Sequence, residues 1–528
     1  MKTARLSLLA IITFVSASIC LSLVASAQQI QPVTGAPAST VGYKQQLQPV
    51  CTHATYPADS GLTPGTAYQQ QTRSVYYCPR GASALAIMYS GTWDNAGVET
   101  DLVNPIPINA GIEVPAATPQ TTPSLIVPVT CNGQRPCYLP TLTNAATNSV
   151  TQGDLITDTM TVNVPAGTYI AVRTYVFQSS GQKTSLGRYS NYQQGESCAQ
   201  STSLADNSIS GAANFAYSNS CYTPSVIMGV PATSGPSVCI LGTSREIGFT
   251  GSLGVYVGAT PVSGGSGYVV GDIGTIFTVP GGTGGVAAQG VIFGVSGGAV
   301  TNVLVYQTGS YATLPSSPQT ITGGHGTGLS VSISGTASYD PPDSFGEQGY
   351  IEKGLSGTIP YMTMARGSST ASGWAARNYS RIDMILKSGC SSVIDGYGTV
   401  DLSSGLATMQ AQAIARWQQM KSAGKSVYPV TIMPITTSTD GWATTTNQAV
   451  ESYESIRTAY NDWLRANYAT LPIAGYFETA NAVETAQDSG LWKVTGTAYA
   501  YTIDGLHPVS TGITVAAAVI AANKSIIK

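Results

Sequence analysis

The clearest alternation of apolar and polar positions in the chain begins near Ile156. Met160, Val162 and Val164 alternate with polar residues, Pro165-Ala166-Gly167 supplies a turn, and Tyr169 to Phe177 resumes as a second strand. Upstream, residues 28–145 are rich in Pro, Thr and Gln and carry few helix signals. Roughly 40–230 therefore reads as a β-sandwich, with Tyr217, Tyr222 and the run Val226 to Pro231 leading directly into a following sheet. Its many tyrosines suit either a sugar-binding face or core packing. Val238-Cys239-Ile240-Leu241 is a short apolar run that ends at Gly242, the pattern of a buried strand.

After residue 340 the period changes. Ser369 to Leu386 predicts a helix whose apolar positions include Trp374, Ile382 and Ile385. Val393-Ile394 predicts a buried strand. Leu406, Met409, Ala413, Ile414, Trp417 and Met420 recur at helical spacing until Gly424 ends the run. Val427 to Pro434 predicts a further strand, in which Pro429 marks an edge or a bulge. Ala449 to Asn467 and Thr511 to Asn523 predict two more helices, and Trp417 and Trp463 are assigned to the core. Strands alternating with helices imply a parallel sheet covered on both faces. Between these regions, residues 251–339 are Gly-rich and weakly repetitive. Gly267-Tyr268 followed by Gly281 to Gly284 returns as Ser310-Tyr311 followed by Gly323 to Gly328, with strand-like runs between. Two related β-units sharing an apolar face are expected there.

The start of the chain and its composition bear on the compartment. Lys2 and Arg5 precede the apolar run Leu6 to Val24, which ends at Ala25-Ser26-Ala27. That order predicts a secretory signal peptide cleaved after about Ala27, and a secreted, extracellular or periplasmic protein. Cys20 lacks a small residue before it, which argues against a lipoprotein, and no later segment is apolar enough to span a bilayer. Charged residues make up 9% of the chain and the net charge is −3, so nothing favours nucleic acid as a partner. Of nine cysteines, eight follow the leader, and sequence neighbours suggest Cys51–Cys78, Cys131–Cys137 and Cys198–Cys221. None of the spacings resembles a zinc site.

Candidate chemistry is sparse, which makes it conspicuous. The chain has three histidines, His53, His325 and His507, and only His507 has a carboxylate three positions upstream, Asp504. An imidazole and a carboxylate at that spacing can act as a base and its orienting acid. The same residues, Asp504-Gly505-Leu506-His507-Pro508, also suit a surface turn before the final helix. Ser244, exposed just beyond the 238–241 strand, is a candidate nucleophile whose own N–H could serve an oxyanion, or it could cap a helix. Glu246 stands too close to it for a capping box. His325 lies in a glycine turn and is assigned a structural role.

Taken together, these pieces resemble the SGNH (GDSL-type) hydrolase family in block order. Gly242-Thr243-Ser244 falls where the family has its nucleophile block, and Pro342 to Tyr350 resembles the lead into the next helix. Ala365 to Thr370 resembles the second block, Ser392 to Leu402 the third, and Asp504 with His507 the last. The resemblance covers about 236–250 and 340–528. It implies a flavodoxin-like three-layer α/β domain at 231–250 and 340–528, interrupted by a β-rich module at 251–339 and preceded by a β-rich domain at 28–230. It also implies a serine esterase with Ser244, Asp504 and His507 as its triad and with Ser244 and Gly367 N–H groups at the oxyanion. No metal or organic cofactor is called for. An acylated small molecule or polysaccharide would be the substrate. In that fold the strands near Cys239 and Cys390 are neighbours, so these two could form a bridge or remain buried thiols. Thr243 replaces the usual aspartate. Val400 stands where the family places a donor asparagine, and losing such a donor costs on the order of 100- to 1,000-fold in turnover. The competing expectation is a weak or inactive scaffold that serves as an exported glycan-binding or surface interaction protein.

Overall fold

A computed structural model describes residues 47–528 apart from 54–60, 63–67, 96–97, 103–104, 117–124, 140–153, 183, 186, 189–195, 211–219, 342 and 376–380. The predicted signal peptide at 1–27, Tyr217 and Pro342 lie outside the described residues. No helix among the described residues is long and apolar enough to cross a membrane.

The first region is built from two antiparallel sheets. Tyr68–Cys78 pairs with Thr168–Gln178 over eleven consecutive residues, and Ile106–Glu113 flanks the other edge of Thr168–Gln178. A second sheet joins Ala82–Ser90 to Val226–Pro231, Met160–Val164 and Asp154–Ile156. Alternation along Ala82–Ser90 sends Leu85, Ile87 and Tyr89 toward the first sheet, into one apolar cluster with Ile108, Ile112, Ile170 and Val172. Ala86 and Met88 point the other way. With Val226 and Met228 they enter a cluster shared with the helices of the later region. The run Val226 to Pro231 was expected to lead into the parallel sheet, but it belongs to this antiparallel one. Its β-branched, alternating side chains pair with Ala82–Ser90 and cover the boundary between the two regions. Inside the first sheet, Arg73 and Arg173 sit opposite each other and share the fully buried Glu113, which offsets the cost of removing their charges from water.

The later region holds a parallel sheet, whose strands we number β1 (Val238–Leu241), β2 (Tyr361–Thr363), β3 (Ser392–Asp395) and β4 (Ser426–Pro429). The order across it is β2-β1-β3-β4, all parallel, and Val430 makes a further parallel bridge to Phe477. Nearly every residue of these strands is buried because both sides of the sheet are covered. Cys239 and Leu241 join a cluster with Ile385, Met409, Trp417 and Leu464, from helices on one face. Val238 and Ile240 join Tyr350, Leu355, Ile513 and Ile520, from helices on the other. Trp417 is fully buried and stacks on the partly buried Trp463 with ring centres 5.8 Å apart.

In the stretch 369–386 the described residues Ala371–Ala375 and Arg381–Lys387 are helical, and 376–380 lie outside the described residues. Two elements differ from the pattern-based expectation. The strand expected over 427–434 is Ser426–Pro429, continued by the bridge of Val430 to Phe477: Val430 N–H still donates to Asp395 O and Thr431 N–H to Phe477 O, and the chain leaves the sheet at Ile432, whose N–H donates to Asn461 Oδ1. The helix expected from Ala449 starts at Glu454, since Gln448–Val450 is taken by a hairpin with Thr436–Ser438.

The inserted residues form small antiparallel sheets around one core that includes Val255, Phe277, Ile292, Val303 and Leu329. The repeat acquires a physical meaning there. Tyr268 and Tyr311 are both buried in that core, and the glycines of each unit pack on the tyrosine of the other. A Cβ on Gly326 would lie 2.3 Å from the Tyr268 ring, and one on Gly282 would lie 2.6 Å from the Tyr311 ring. Glycine is required at both places for clearance, and at Gly282, with a φ of +74°, for turning as well.

Among the described residues four disulfides are present: Cys51–Cys78, Cys131–Cys137, Cys198–Cys221 and Cys239–Cys390. The last ties β1 to the approach of β3. Cross-links of this number belong to chains that fold in an oxidising compartment.

Candidate active site

The carboxyl end of β1 delivers the first group. Gly242 has a φ of +152°, and a Cβ there would strike the Glu246 side chain at 2.4 Å, so the chain turns at a residue without one. Ser244 then emerges half-buried, with its Oγ 2.7 Å from Nε2 of His507. The imidazole is buried, and its Nδ1 lies 2.6 Å from Asp504 Oδ2. Asp504 Oδ1 accepts the N–H groups of Leu506 and His507 at 2.9 and 2.8 Å, which fixes the carboxylate on the turn that presents the ring. Burial pushes the Asp504 carboxyl upward, but the hydrogen bond and charge of His507 and the two backbone donors together hold it below the ordinary carboxylate range.

The turn carrying Asp504 and His507 is braced from outside. Gly505, at a φ of +76°, is so close to Thr436 that a Cβ would fall 1.8 Å from its carbonyl oxygen. Thr436 N–H and the Trp492 indole N–H both donate to Gly505 O, at 3.1 and 2.9 Å. Asp-Gly is thus a turn, as its composition suggested, and it also holds a base against a serine.

Beneath Ser244 lie two buried charges. Glu246 accepts the Thr243 N–H at 2.6 Å, the Thr243 hydroxyl at 3.1 Å and the Tyr350 hydroxyl at 2.9 Å, while burial raises its pKa. Arg245 donates to the carbonyls of Met433 and Pro434 at 3.0 and 2.9 Å, and burial lowers it to about 10. These contacts clamp the serine turn to the loop after β4. Neither residue was singled out from the sequence. The signal was an Arg-Glu pair beside a candidate serine in a chain with 9% charge.

The remaining named residues lie on loops at the same end of the sheet. Arg366 N–H donates to Gly242 O at 3.2 Å, which seats the loop containing the half-buried Gly367 next to the serine turn. Asp401 Oδ1 accepts the Ala371 N–H at 2.9 Å and joins that loop to the one after β3. Val400 lies in the short turn Thr399–Ser404 and is 40% exposed. The other two histidines have carboxylate partners elsewhere: His53 Nε2 with Glu196 at 2.6 Å, and His325 Nδ1 with Asp272 at 2.7 Å. Of the three, His507 is the one set against Ser244.

The arrangement is a parallel α/β sheet with a serine, a histidine and an aspartate in hydrogen-bonded sequence beyond a strand end, where chemistry in such sheets is placed. No family model and no curated protein matches the chain. Among solved structures it is similar to a GDSL-like lipase from Bacteroides thetaiotaomicron (14% identity, 31% of this chain, 75% of that one, TM-score 0.23). It is also similar to a peptidoglycan O-acetylesterase (12% identity, 55% and 91%, TM-score 0.27) and to a protein from Bacillus subtilis (11% identity, 85% and 80%, TM-score 0.28). At such TM-scores none of these likenesses establishes a shared fold or activity.

Proposed function

We propose that the chain is an exported serine esterase of SGNH type, with Ser244 as nucleophile, His507 as general base and Asp504 as the residue that orients it. The observation that carries this reading is the unbroken contact from Ser244 Oγ through the His507 ring to Asp504, 2.7 and then 2.6 Å long. Nε2 of His507 takes the serine proton as Oγ bonds to the ester carbonyl carbon, and the carbonyl electron pair moves onto its oxygen. The N–H groups of Ser244 and Gly367 are assigned to that oxyanion. Its collapse expels the alcohol, which takes the proton from His507. Water then attacks the acyl-serine, gives a proton to His507, and the carboxylic acid leaves as Oγ regains it.

Acylated polysaccharide is the proposed substrate class, on the analogy of an exported enzyme carrying large β-rich additions. The flavodoxin-like three-layer assignment, the N-terminal sandwich and the boundaries at 230, 250 and 340 belong to the same proposal. Covalent labelling with a fluorophosphonate tests the chemistry. The expected result is labelling of the wild-type chain that Ser244→Ala abolishes, and release of acetate from an acetylated glycan.

Val400 favours a second reading, a scaffold that binds glycan without turnover, because valine has no donor for an oxyanion. Val400→Asn discriminates the two. A rise of about tenfold or more on a small acetyl ester is expected if the remaining donors are in place. No labelling together with retained glycan binding would decide for the scaffold.

A further inference from the structure

The inserted module leaves the sheet region directly after the serine turn, and Phe249 N–H donates to Ser244 O at 3.1 Å. Its first strand, Phe249–Val257, pairs antiparallel with its last, Ile333–Tyr339, but the register breaks at the root. Phe249 stands opposite Tyr339 and Leu253 opposite Ala337, so the first strand carries surplus residues there. Such bulges re-aim the backbone and recur beside active sites. This one is held in shape by the Thr250 hydroxyl, which donates to Ser338 O at 3.1 Å and bonds the Ser252 hydroxyl. At its apex Gly251 has a φ of +67°. A Cβ there would lie 1.9 Å from Asp504 Oδ2 and 3.0 Å from His507 Nδ1. Phe249 meets the imidazole edge-on, with ring centres 4.8 Å apart and planes at 85°.

We propose that Gly251 is a positioning residue for the Asp504–His507 pair, and that through it the module 251–339 is a working part of the catalytic centre. The inference rests on the esterase reading above. Bare backbone at 251 lets the bulge close against the hydrogen bond between carboxylate and ring, while Phe249 restrains the ring from turning. A side chain at 251 has to displace either Asp504 or the bulge.

The test uses the full chain and a double-mutant cycle of Gly251→Ala, Asp504→Ala and both together. The readouts are hydrolysis of p-nitrophenyl acetate and the low-field proton resonance of His507 Nδ1–H. Gly251→Ala is expected to lower kcat on the order of 100-fold, to change KM by less than about threefold and to remove the resonance. In the Asp504→Ala background the same change should cost less than about threefold, since the carboxylate it strikes is gone and only the looser contact with His507 Nδ1 remains. Equal losses in both backgrounds, or a Gly251→Ala chain that keeps both kcat and the resonance, would overturn the proposal. If Gly251→Ala does not fold, the double variant, relieved of the carboxylate clash though not of the strain of an alanine at a φ of +67°, should fold; failure of both also overturns it. A wild-type chain with neither turnover nor labelling sinks the esterase reading instead, and the resonance alone then decides Gly251, supporting the role if lost and refuting it if kept.

Discussion

Around the parallel sheet, two apolar faces are sealed by helices, and buried charges such as Asp395 with Arg416 are matched inside. The module at 251–339 has a single small apolar core, in which glycines pack against two tyrosines, and leaves Val262, Val270 and Ile276 largely in water. Both regions stay in shape with few charges, but by different means. The sheet region fixes side chains from both sides, so it can hold a base within 2.7 Å of a serine. The module fixes backbone, and it approaches the acid–base pair at its root, by backbone at Gly251 and by the ring of Phe249. The difference suggests that chemistry resides in the sheet region and the module acts on it only at its root.

His507→Ala breaks this comparison most severely. Turnover should fall by about 10,000-fold or more, with the melting temperature little changed, and esterase assay beside calorimetry checks both. Removing the bridge from β1 by replacing Cys239 and Cys390 together with serine should destabilise the sheet region by about 2–5 kcal/mol in a urea titration. The module's far end should keep its hydrogen-exchange protection. Gly326→Ala strikes the module alone: the methyl meets the Tyr268 ring, and overpacking of this kind costs about 1–3 kcal/mol. Exchange should rise across 263–331 and not in β1; equal rises would mean that the two regions melt as one unit.

A further effect is in pH dependence. Glu347 is fully buried beside Asp343, and burial together with that neighbouring carboxylate raises its pKa from 4.5 to about 10. The folded chain therefore keeps a proton that the unfolded chain has lost. Its stabilising contribution is complete below the unfolded value and is lost as pH rises toward the folded one. Glu347→Gln cannot ionise, so its advantage over wild type should grow across that window, with a slope of up to about 1.4 kcal/mol per pH unit. Urea titrations at several pH values measure it.

Much of the fold was legible because it is written in near-neighbour chemistry. The run Val238 to Leu241 ends at a glycine and forms a buried strand, and the helical spacing of Met409, Ala413, Trp417 and Met420 becomes the helix Leu406–Ser422. Helix starts were less legible, since Ala449 has the right period but its segment pairs as a strand with Thr436–Ser438. Of the candidate site, Ser244, Asp504 and His507 stood out because histidine and charge are rare here. Glu246, Arg245, Phe249 and Gly251 did not, because their partners are remote in the chain or leave no local pattern.

By itself, then, the sequence determined where strands and helices fall, the Asp-Gly turn that points a ring and a carboxylate the same way, and the placing of a serine after a buried strand. Tertiary structure alone decided that Ser244 meets His507 across 263 residues, that one glycine clears Asp504, and that each half of the repeat packs on the tyrosine of the other. The physical reason is the range of the forces involved. Backbone preference and side-chain period act over a few residues, whereas steric clearance and hydrogen bonding depend on what the folded chain brings alongside, and a glycine reads the same whether it serves a turn or makes room for a neighbour.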